Sequence, residues 1–449
     1  MKNSLRYFAL ILLFLGSIAV EAQVQNWQTM HKVKKKETLF GISRQYGITV
    51  EELKKANPEM NMPNYKLRKG DYIYIPYPTP EVKEAAPTEP AKPADDITKR
   101  AIRVGVMLPL HDVDGDGRRM VEYYRGMLMA FNDLRQEGIS IDVRAWNVNI
   151  DADIRQTLLE KDVDKLDIIF GPLYTKQVKH LGDFARKHNI RMVIPFSING
   201  NEVAENPFVY QVYQSPEELN TKAINAYLAR FADAHPVIVD CNDKTSTKGN
   251  FTFGLRQQLE KQGIAYSITN LTSSDEMFAK AFSLDKPNVV ILNTGRSPEL
   301  TATFKKLDVL TQNNRDLSIS MYGYTDWLLY KVYTDYFYKY DTYIPTNFFY
   351  NAQSRNTQQL EQNYKQWFKQ DMQYALPRFA ITGYDQTQYF LRGLHQYGAA
   401  FRGTKDQRVS TPLQTQLYFK PAAEGGGMQN FHFMLVHYKP NKTIEAINY

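Results

Sequence analysis

Residues 31–58 read HKVKKKETLFGISRQYGITVEELKKANP, and this stretch decides the fold of the first module. Leu39, Ile42 and Tyr46 recur at i, i+3 and i+7, which is the spacing of one face of a helix. Gly47 follows them and ends the helix as a left-handed C-terminal residue. The stretch therefore predicts a short helix with one buried face.

A second helix and two strands complete this module. Thr49 caps the second helix, and Glu52 stands three residues later, as a capping box requires. We expect one short strand over about residues 31–35 and another over residues 72–75. The resulting βααβ unit, residues 31–76, is too small for a large core and is predicted to be marginally stable alone.

The module resembles the LysM family over its whole length. The positions that carry the resemblance are Val33, Glu37, Thr38, Leu39, Ile42, Ser43, Tyr46, Gly47, Ile48, Thr49, Val50, Leu53, Asn57, Pro58, Leu67, Gly70, Asp71, Ile73, Ile75 and Pro76. The resemblance implies binding of glycans that contain N-acetylglucosamine, such as peptidoglycan or chitin. It places the groove between two loops, with glycan-binding residues Lys36, Glu37, Thr38, Leu39 and Phe40 in the first and Asn57, Pro58, Glu59, Met60 and Asn61 in the second.

Two features depart from the family pattern. Lys36 stands where the family usually has glycine, which is expected to alter the backbone of the first loop. Residues 60–66 lengthen the second loop and are expected to reshape the groove. A module that keeps this fold and binds no glycan is the alternative.

The N-terminus has the pattern of a secretory signal peptide over residues 1–22. Lys2 and Arg6 form a positive region, and an apolar run of residues 8–20 follows. This run is shorter than the roughly 20 residues of a membrane span, and Val20-Glu21-Ala22 suits cleavage. No cysteine stands near that site, so we predict export to the periplasm or cell envelope without a lipid anchor and without a transmembrane span after cleavage.

Charge distribution limits the classes of partner, and cysteine content limits the possible covalent and metal links. Residues 31–76 hold ten Lys and Arg against five Asp and Glu, whereas residues 101–449 are nearly neutral. This distribution favours an anionic polymer as the partner of the small module and argues against nucleic acid, because the large domain has no basic stripe. The single Cys241 excludes an intrachain disulfide and a cysteine-based zinc site.

The remaining chain predicts a linker and a large α/β domain. Residues 77–100 are rich in proline, alanine and charge, which is typical of an extended spacer. From residue 101, strand-like apolar runs alternate with helical patterns in two successive sets. The alternation predicts two doubly wound parallel sheets, with ligands at the carboxyl ends of the strands.

A second resemblance covers this large domain. The stretches that carry it are residues 102–110, 126–132, 169–175, 193–197, 208–212, 249–254, 322–327 and 383–386. In this order they resemble the type I periplasmic-binding-protein fold, close to the group that binds leucine, isoleucine and valine. The resemblance implies two lobes that close on a small ligand, lobe one over residues 101–214 and 346–400 and lobe two over residues 215–345 and 401–449.

The same resemblance places ligand contacts in the cleft between the lobes. These cleft residues are Thr175, Phe196, Ser197, Asn250 and Phe251. An acidic partner for a ligand ammonium is expected in lobe two, at Asp275 or Glu276. Phe196 stands where small residues are common and would partly fill the cleft, so the occupant is either a small amino-acid-like ligand or an envelope protein.

Motifs for catalysis, metals and cofactors are incomplete in this sequence. Residues 112–117 have the first spacings of a calcium loop, but Tyr123 stands where the bidentate glutamate is needed. Residues 283–286 fit S-x-x-K without its companion motifs, and His432 and His437 are expected on opposite faces of a strand. We therefore predict no catalytic residues, no metal site and no cofactor.

These patterns together predict a non-enzymatic cell-envelope protein. The small module would bind peptidoglycan, and the two-lobed domain would sense a small ligand or dock an envelope partner. One alternative is a solute-binding receptor for amino-acid transport. A less favoured alternative is a cell-wall hydrolase that uses the LysM-like module for targeting.

Overall fold

A computed structural model describes residues 27–62, 65–77, 95–196 and 200–449. The chain divides into two compact units, Met1–Lys92 and Pro93–Tyr449. The predicted signal peptide, residues 1–22, and most of the predicted linker lie outside the described residues. Within the described ranges, every helix is too short or too polar to cross a membrane.

The small unit is a two-stranded antiparallel sheet with two helices. Its elements are β1 (Trp27–Lys32), α1 (Leu39–Gln45), α2 (Val50–Ala56) and β2 (Tyr72–Pro76). The strand β1 lies earlier than predicted, because residues 27–32 pair with residues 72–76. The capping box of Thr49 and Glu52 is confirmed at the start of α2. One core joins the elements, formed by Val33, Ile42, Ile48, Leu53, Met60, Ile73 and Ile75.

The large unit contains two seven-stranded sheets, so the predicted α/β class is confirmed. Lobe one holds β3 (Ile102–Leu108), β4 (Ile141–Asn147), β5 (Ile168–Phe170), β6 (Arg191–Ile194) and β7 (Val209–Gln211), and lobe two holds β8 (His235–Asp240), β9 (Ser267–Asn270), β10 (Asn288–Leu292), β11 (Ile319–Tyr322) and β12 (Thr342–Thr346). Two further pairs are β13 (Phe419–Pro421) with β14 (Met428–Asn430), and β15 (Met434–Tyr438) with β16 (Ile444–Asn448). The orders are β13-β14-β7-β6-β5-β3-β4 and β16-β15-β12-β11-β10-β8-β9. Strands β3–β7 pair in parallel, as do β8–β12.

Helices flank both sheets. They are α3 (Gly115–Gln136), α4 (Ile154–Leu158), α5 (Thr175–His188), α6 (Glu202–Glu205), α7 (Pro216–Arg230), α8 (Gly249–Lys261), α9 (Asp275–Ala279), α10 (Ser297–Asn313), α11 (Thr334–Lys339), α12 (Arg355–Phe368) and α13 (Phe379–Tyr397). The long helices α3 and α13 pack closely in lobe one. A Cβ at Gly126 would lie 1.8 Å from the Ala380 carbonyl oxygen, and one at Gly383 would lie 2.0 Å from that of Tyr123. Only glycine therefore allows the two backbones to approach this closely.

The boundary of lobe two differs from the prediction. Residues 401–449 were expected in lobe two, but β13 and β14 belong to the sheet of lobe one. Met428 and Gln429 pair with Tyr210 and Gln211 of β7, and Phe419 joins the lobe-one core. The chain passes back to lobe two only after Asn430. The prediction was wrong here because strand pairing across more than 200 residues leaves no local pattern in the sequence.

The large unit also begins earlier than the predicted linker boundary at residue 100. Ile97 is buried and belongs to the lobe-one core. The Arg100 guanidinium donates to both carboxylate oxygens of Asp167 at 2.7 Å, and Asp95 forms ion pairs with Arg100 and Arg103. Residues 95–100 are therefore part of the folded unit and not of a spacer.

Candidate functional site

The first loop of the small unit exposes three of its five predicted glycan-binding residues. Lys36 adopts a left-handed backbone with φ of 73°, which explains why glycine suits this position in the family. Thr38 caps α1 by accepting a hydrogen bond from the Gly41 amide at 3.1 Å, and Phe40 is 67% exposed. Lys36 and Thr38 are also exposed, so all three side chains are available to a ligand.

Glu37, in contrast, is held by the module itself. Its carboxylate accepts from the Lys34 amide at 2.7 Å and lies 2.9 Å from Nε2 of His31. Nδ1 of His31 lies 3.0 Å from the hydroxyl of Tyr46. The Lys34 amide, followed by the His31 ring, holds the pKa of Glu37 below its ordinary value. This network joins the first loop to β1 and to the C-terminal end of α1, so His31 positions Glu37, a role that was not predicted from the sequence.

The second loop separates into buried and exposed residues. Asn57 has no exposed surface, and its amide donates to the Leu53 and Tyr74 carbonyls at 2.8 and 2.7 Å and accepts from the Tyr74 amide at 2.7 Å. Met60 belongs to the core. Both residues were predicted to contact the glycan with their side chains. This prediction is wrong, because both side chains face inward. Pro58, Glu59 and Asn61 remain exposed.

The two loops meet through the core beneath them. Met60 of the second loop lies in the core cluster against which Leu39 of the first loop packs. Met62, which follows the second loop, is also largely exposed, although the sequence pattern did not indicate it. The exposed set is therefore Lys36, Thr38, Phe40, Pro58, Glu59, Asn61 and Met62.

In the large unit, Thr175 and Asn250 lie at the exposed starts of two helices. Thr175 is the first residue of α5 in lobe one. Asn250 is the second residue of α8 in lobe two. Asn250 lines a cavity of about 710 Å³ whose walls come from α7, its cap Ser215 and α8, all in lobe two. Glu217 and Gln257 line the same cavity, so the polar groups that share it with Asn250 come from its own lobe.

Phe196 and Phe251 are both surrounded by aromatic rings. Phe196 is half-buried, with ring centroids 5.6 Å from Tyr123, 5.9 Å from Tyr213 and 5.6 Å from Phe379. Phe196 packs in this way against the core of lobe one, and its expected place in the cleft stays a prediction.

Phe251 is buried in the lobe-two core, where it stacks on Tyr322 at 5.9 Å. Its predicted role as a cleft contact is corrected, because this residue in the first turn of α8 faces the sheet. Ser197 lies outside the described residues.

The other sequence motifs have local structural roles. In the calcium-like loop, Asp114 caps α3 by accepting from the Gly117 amide at 2.7 Å. Ser283 accepts from the amides of Asp285 and Lys286, as in a surface turn. Asp275 lies 3.0 Å from Nζ of Lys306 and so already has a cation. Across the described part of the chain, no three His, Cys, Asp or Glu side chains are grouped to hold a metal ion.

Comparisons with known proteins agree with this architecture. Residues 31–76 match the family model of the LysM domain. A candidate branched-chain amino acid ABC transporter from Rhodospirillum rubrum is 14% identical, with a TM-score of 0.53, over 78% of this chain and 100% of its own. An ABC-type branched-chain amino acid transporter from Rhodopseudomonas palustris is 12% identical, with a TM-score of 0.49, over 77% of this chain and 95% of its own.

Identities this low show the fold alone. No curated protein matches the chain. The chain therefore combines a LysM domain with a two-lobed unit of the type I periplasmic-binding-protein fold.

Proposed function

We propose that this chain is a non-enzymatic cell-envelope protein that binds peptidoglycan through its LysM domain. Its two-lobed unit then binds a small ligand or an envelope partner close to the cell wall. The observation that carries the proposal is the LysM match over residues 31–76. The exposed side chains of both loops and the excess of positive charge support it, because peptidoglycan is a polymer with anionic groups.

The exposed ring of Phe40 supports a sugar-binding role for the first loop. A flat aromatic ring offers a large apolar surface at little cost in side-chain entropy. Tyr72 on β2 is a matched control, because it is also an exposed ring of the small unit but lies on a strand outside both loops.

Co-sedimentation of the full chain with purified peptidoglycan tests the anchor. We expect binding that soluble glycan fragments displace and that high salt weakens only in part. Phe40→Ala should raise the dissociation constant by about tenfold, whereas Tyr72→Ala should leave it nearly unchanged. If salt removes all binding and fragments remove none, the domain acts only as a polycation and the proposed anchor is wrong.

The role of the large unit is proposed as binding rather than catalysis. LysM is a binding module, and the fold of the large unit is shared with a candidate amino acid transporter. We expect no soluble muropeptides after the purified chain is incubated with peptidoglycan. Release of such fragments would favour the hydrolase instead.

The solute-binding receptor is retained as the second candidate function, because the type I fold itself favours it. The aromatic packing around Phe196 argues against a spacious amino-acid pocket at the end of β6. Heat unfolding of the full chain with leucine, isoleucine or valine separates the two candidates, since a ligand that binds only the folded state raises Tm. A rise with any of these amino acids would favour the receptor.

A further inference from the structure

A cavity of about 410 Å³ lies beside the segment that joins β12 to α13 in the large unit. Eight of its eighteen lining residues are aromatic, among them Tyr330, Tyr338, Tyr350 and Tyr374. The volume is within the range of small-molecule sites, which are mostly apolar with a few polar groups. Its lining comes from both lobes, with Tyr330 and Tyr338 from lobe two and Tyr350 and Tyr374 from lobe one. The four predicted cleft residues that the structure describes do not line it.

The charged residues that line this cavity, within the described chain, are Lys331 and Arg378. The guanidinium carbon of Arg378 lies 5.0 Å from the ring centroid of Tyr350 and 5.3 Å from that of Tyr374. Nζ of Lys331 lies 4.9 Å from the centroid of Tyr374. Two cations and no carboxylate therefore line an aromatic cavity, which is an environment that favours an anion.

Arg378 is largely removed from water, with 9% of its surface exposed. Its guanidinium donates to the carbonyl of Gln373, so ring faces and a backbone oxygen hold it in place. Glu122 is one carboxyl whose charge interacts with Arg378, and it accepts from the Gln373 amide at 2.9 Å. A second carboxyl, Glu361, accepts from the hydroxyl of the lining residue Tyr350 at 2.7 Å. Burial raises the pKa of Glu122 to about 7, so this carboxyl only partly offsets the positive charge near neutral pH.

A second cavity, of about 460 Å³, shares the same segment. Tyr374, Ala375 and Leu376 line both cavities. Arg118 and Arg119 of α3 line the second one. Tyr374 is 61% exposed, so it is accessible from solvent at this shared wall. Arg119 is paired with Asp116 at 2.5 Å, so Arg118 is the cation that extends the positive charge of the aromatic cavity towards the start of α3.

We propose that the aromatic cavity binds a small carboxylate that carries a six-membered ring, either aromatic or sugar. Its carboxylate pairs with Lys331 and Arg378, and its ring packs among the tyrosines. The inference rests on the proposed binding role of the large unit and names the ligand class. Two sources share this chemistry, an aromatic acid and a sugar acid.

Calorimetric titration of the full chain tests the proposal with four probes. The acids are 4-hydroxybenzoate and glucuronate, and their uncharged counterparts are 4-hydroxybenzamide and glucose. We expect at least one acid to bind about tenfold or more tightly than its counterpart, because a charge-assisted hydrogen bond contributes that much. The acid that binds identifies the source. Binding by neither acid, or equal binding of acid and counterpart, overturns the proposal.

Variants locate the site. Lys331→Gln and Tyr374→Ala change exposed residues and should each raise the dissociation constant of the binding acid about tenfold. Lys305→Gln is the matched control, because Lys305 is an exposed lysine on α10 that does not line the cavity. Arg378→Gln should abolish binding, and if that variant does not fold, the other two decide. Unchanged binding in both overturns the site.

Co-sedimentation with peptidoglycan on the same preparations separates this inference from the proposed anchor. Sedimentation without acid binding overturns the inference alone. Acid binding without sedimentation overturns the anchor alone.

Discussion

Asn57 in the small unit and Asp385 in the large unit perform the same task with different chemistry. Each is almost completely buried, and each holds backbone groups of another segment. The Asn57 amide bonds to Leu53 and Tyr74. The Asp385 carboxylate accepts from the amides of Leu413, Gln414 and Thr415 at 2.8, 2.8 and 3.2 Å.

The difference is that only Asp385 can gain a proton. Burial raises its pKa to about 7 despite the three amides that favour the charged form. A neutral amide fixes the small unit in a manner that pH does not alter, whereas a buried carboxyl makes the large unit sensitive to pH. The buried groups of the two units should therefore respond differently to the same change of pH.

The largest effect is expected from Asp385→Ala. This change leaves three backbone amides without their acceptor, and each buried unpaired group costs about 1–3 kcal/mol. We expect the free energy of unfolding of the large unit to fall by at least about 4 kcal/mol in urea. Asp285→Ala, at an exposed aspartate of the same unit, should change it by less than about 0.5 kcal/mol. Equal effects of the two changes would show that Asp385 does not stabilise the large unit through these three amides.

Asn57→Ala should have the next largest effect, confined to the small unit. The change leaves one amide and two carbonyls of the backbone without their partner, at a cost of about 3 kcal/mol. Hydrogen exchange should accelerate across residues 27–77 and stay unchanged in the large unit. Asn61→Ala, at an exposed residue of the second loop, serves as the control and should leave exchange as in the parent chain.

The pH dependence follows from the raised pKa values of Asp385 and Glu122, both about 7 because of burial. The folded chain binds these protons more tightly than the unfolded chain. The stability that these two groups contribute is therefore fully present below about pH 4 and is lost as pH rises towards 7. We expect a loss of about 2 kcal/mol per group between pH 5 and pH 8 in urea melts.

Glu122→Gln should remove about half of this loss, because Asp385 still titrates. Glu276→Gln, at an exposed glutamate of lobe two, should leave the pH profile unchanged. A flat profile in the parent chain would show that neither buried carboxyl holds its proton near neutrality.

The smallest effect is expected from Thr38→Ala in the first loop. It removes the cap of α1, which should destabilise the small unit by about 1 kcal/mol. Thr38→Ser keeps a hydroxyl acceptor and should restore stability. If Thr38→Ser also restores peptidoglycan binding fully, the hydroxyl group is sufficient for binding, either through the cap of α1 or through a contact with the glycan. The threonine methyl group is then not required.

The sequence predicted the small unit well because its motif is nearly continuous over residues 31–58. The helix caps and loop positions follow from local spacing, and α2 begins where Thr49 and Glu52 indicated. Local spacing does not reveal which loop side chains turn inward, so Asn57 and Met60 were misassigned. His31 had a signal, because a period of two places it on the same buried side as Val33.

In the large unit the order of elements was predictable, but the site was only partly so. Alternating strands and helices indicated both sheets, since each element carries its own periodicity. Phe251 was misassigned because a residue near the start of a helix can face either the cleft or the sheet. The aromatic cavity was not predicted, since Tyr350, Tyr374 and Tyr438 come together only through the tertiary fold.

The strands β13–β16 come late in the sequence, which affects when each sheet can be completed as the chain is synthesised. Lobe one lacks two strands until residue 430 has been made, and lobe two lacks two until residue 448 has been made. Until β15 is made, β12 has no neighbour on one side. In the finished sheet, all five residues of β15 are buried. Lobe one can therefore complete its sheet only after residue 430 is made, and lobe two only after residue 448. A premature stop after residue 430 would leave lobe one whole and lobe two with an open, aggregation-prone edge.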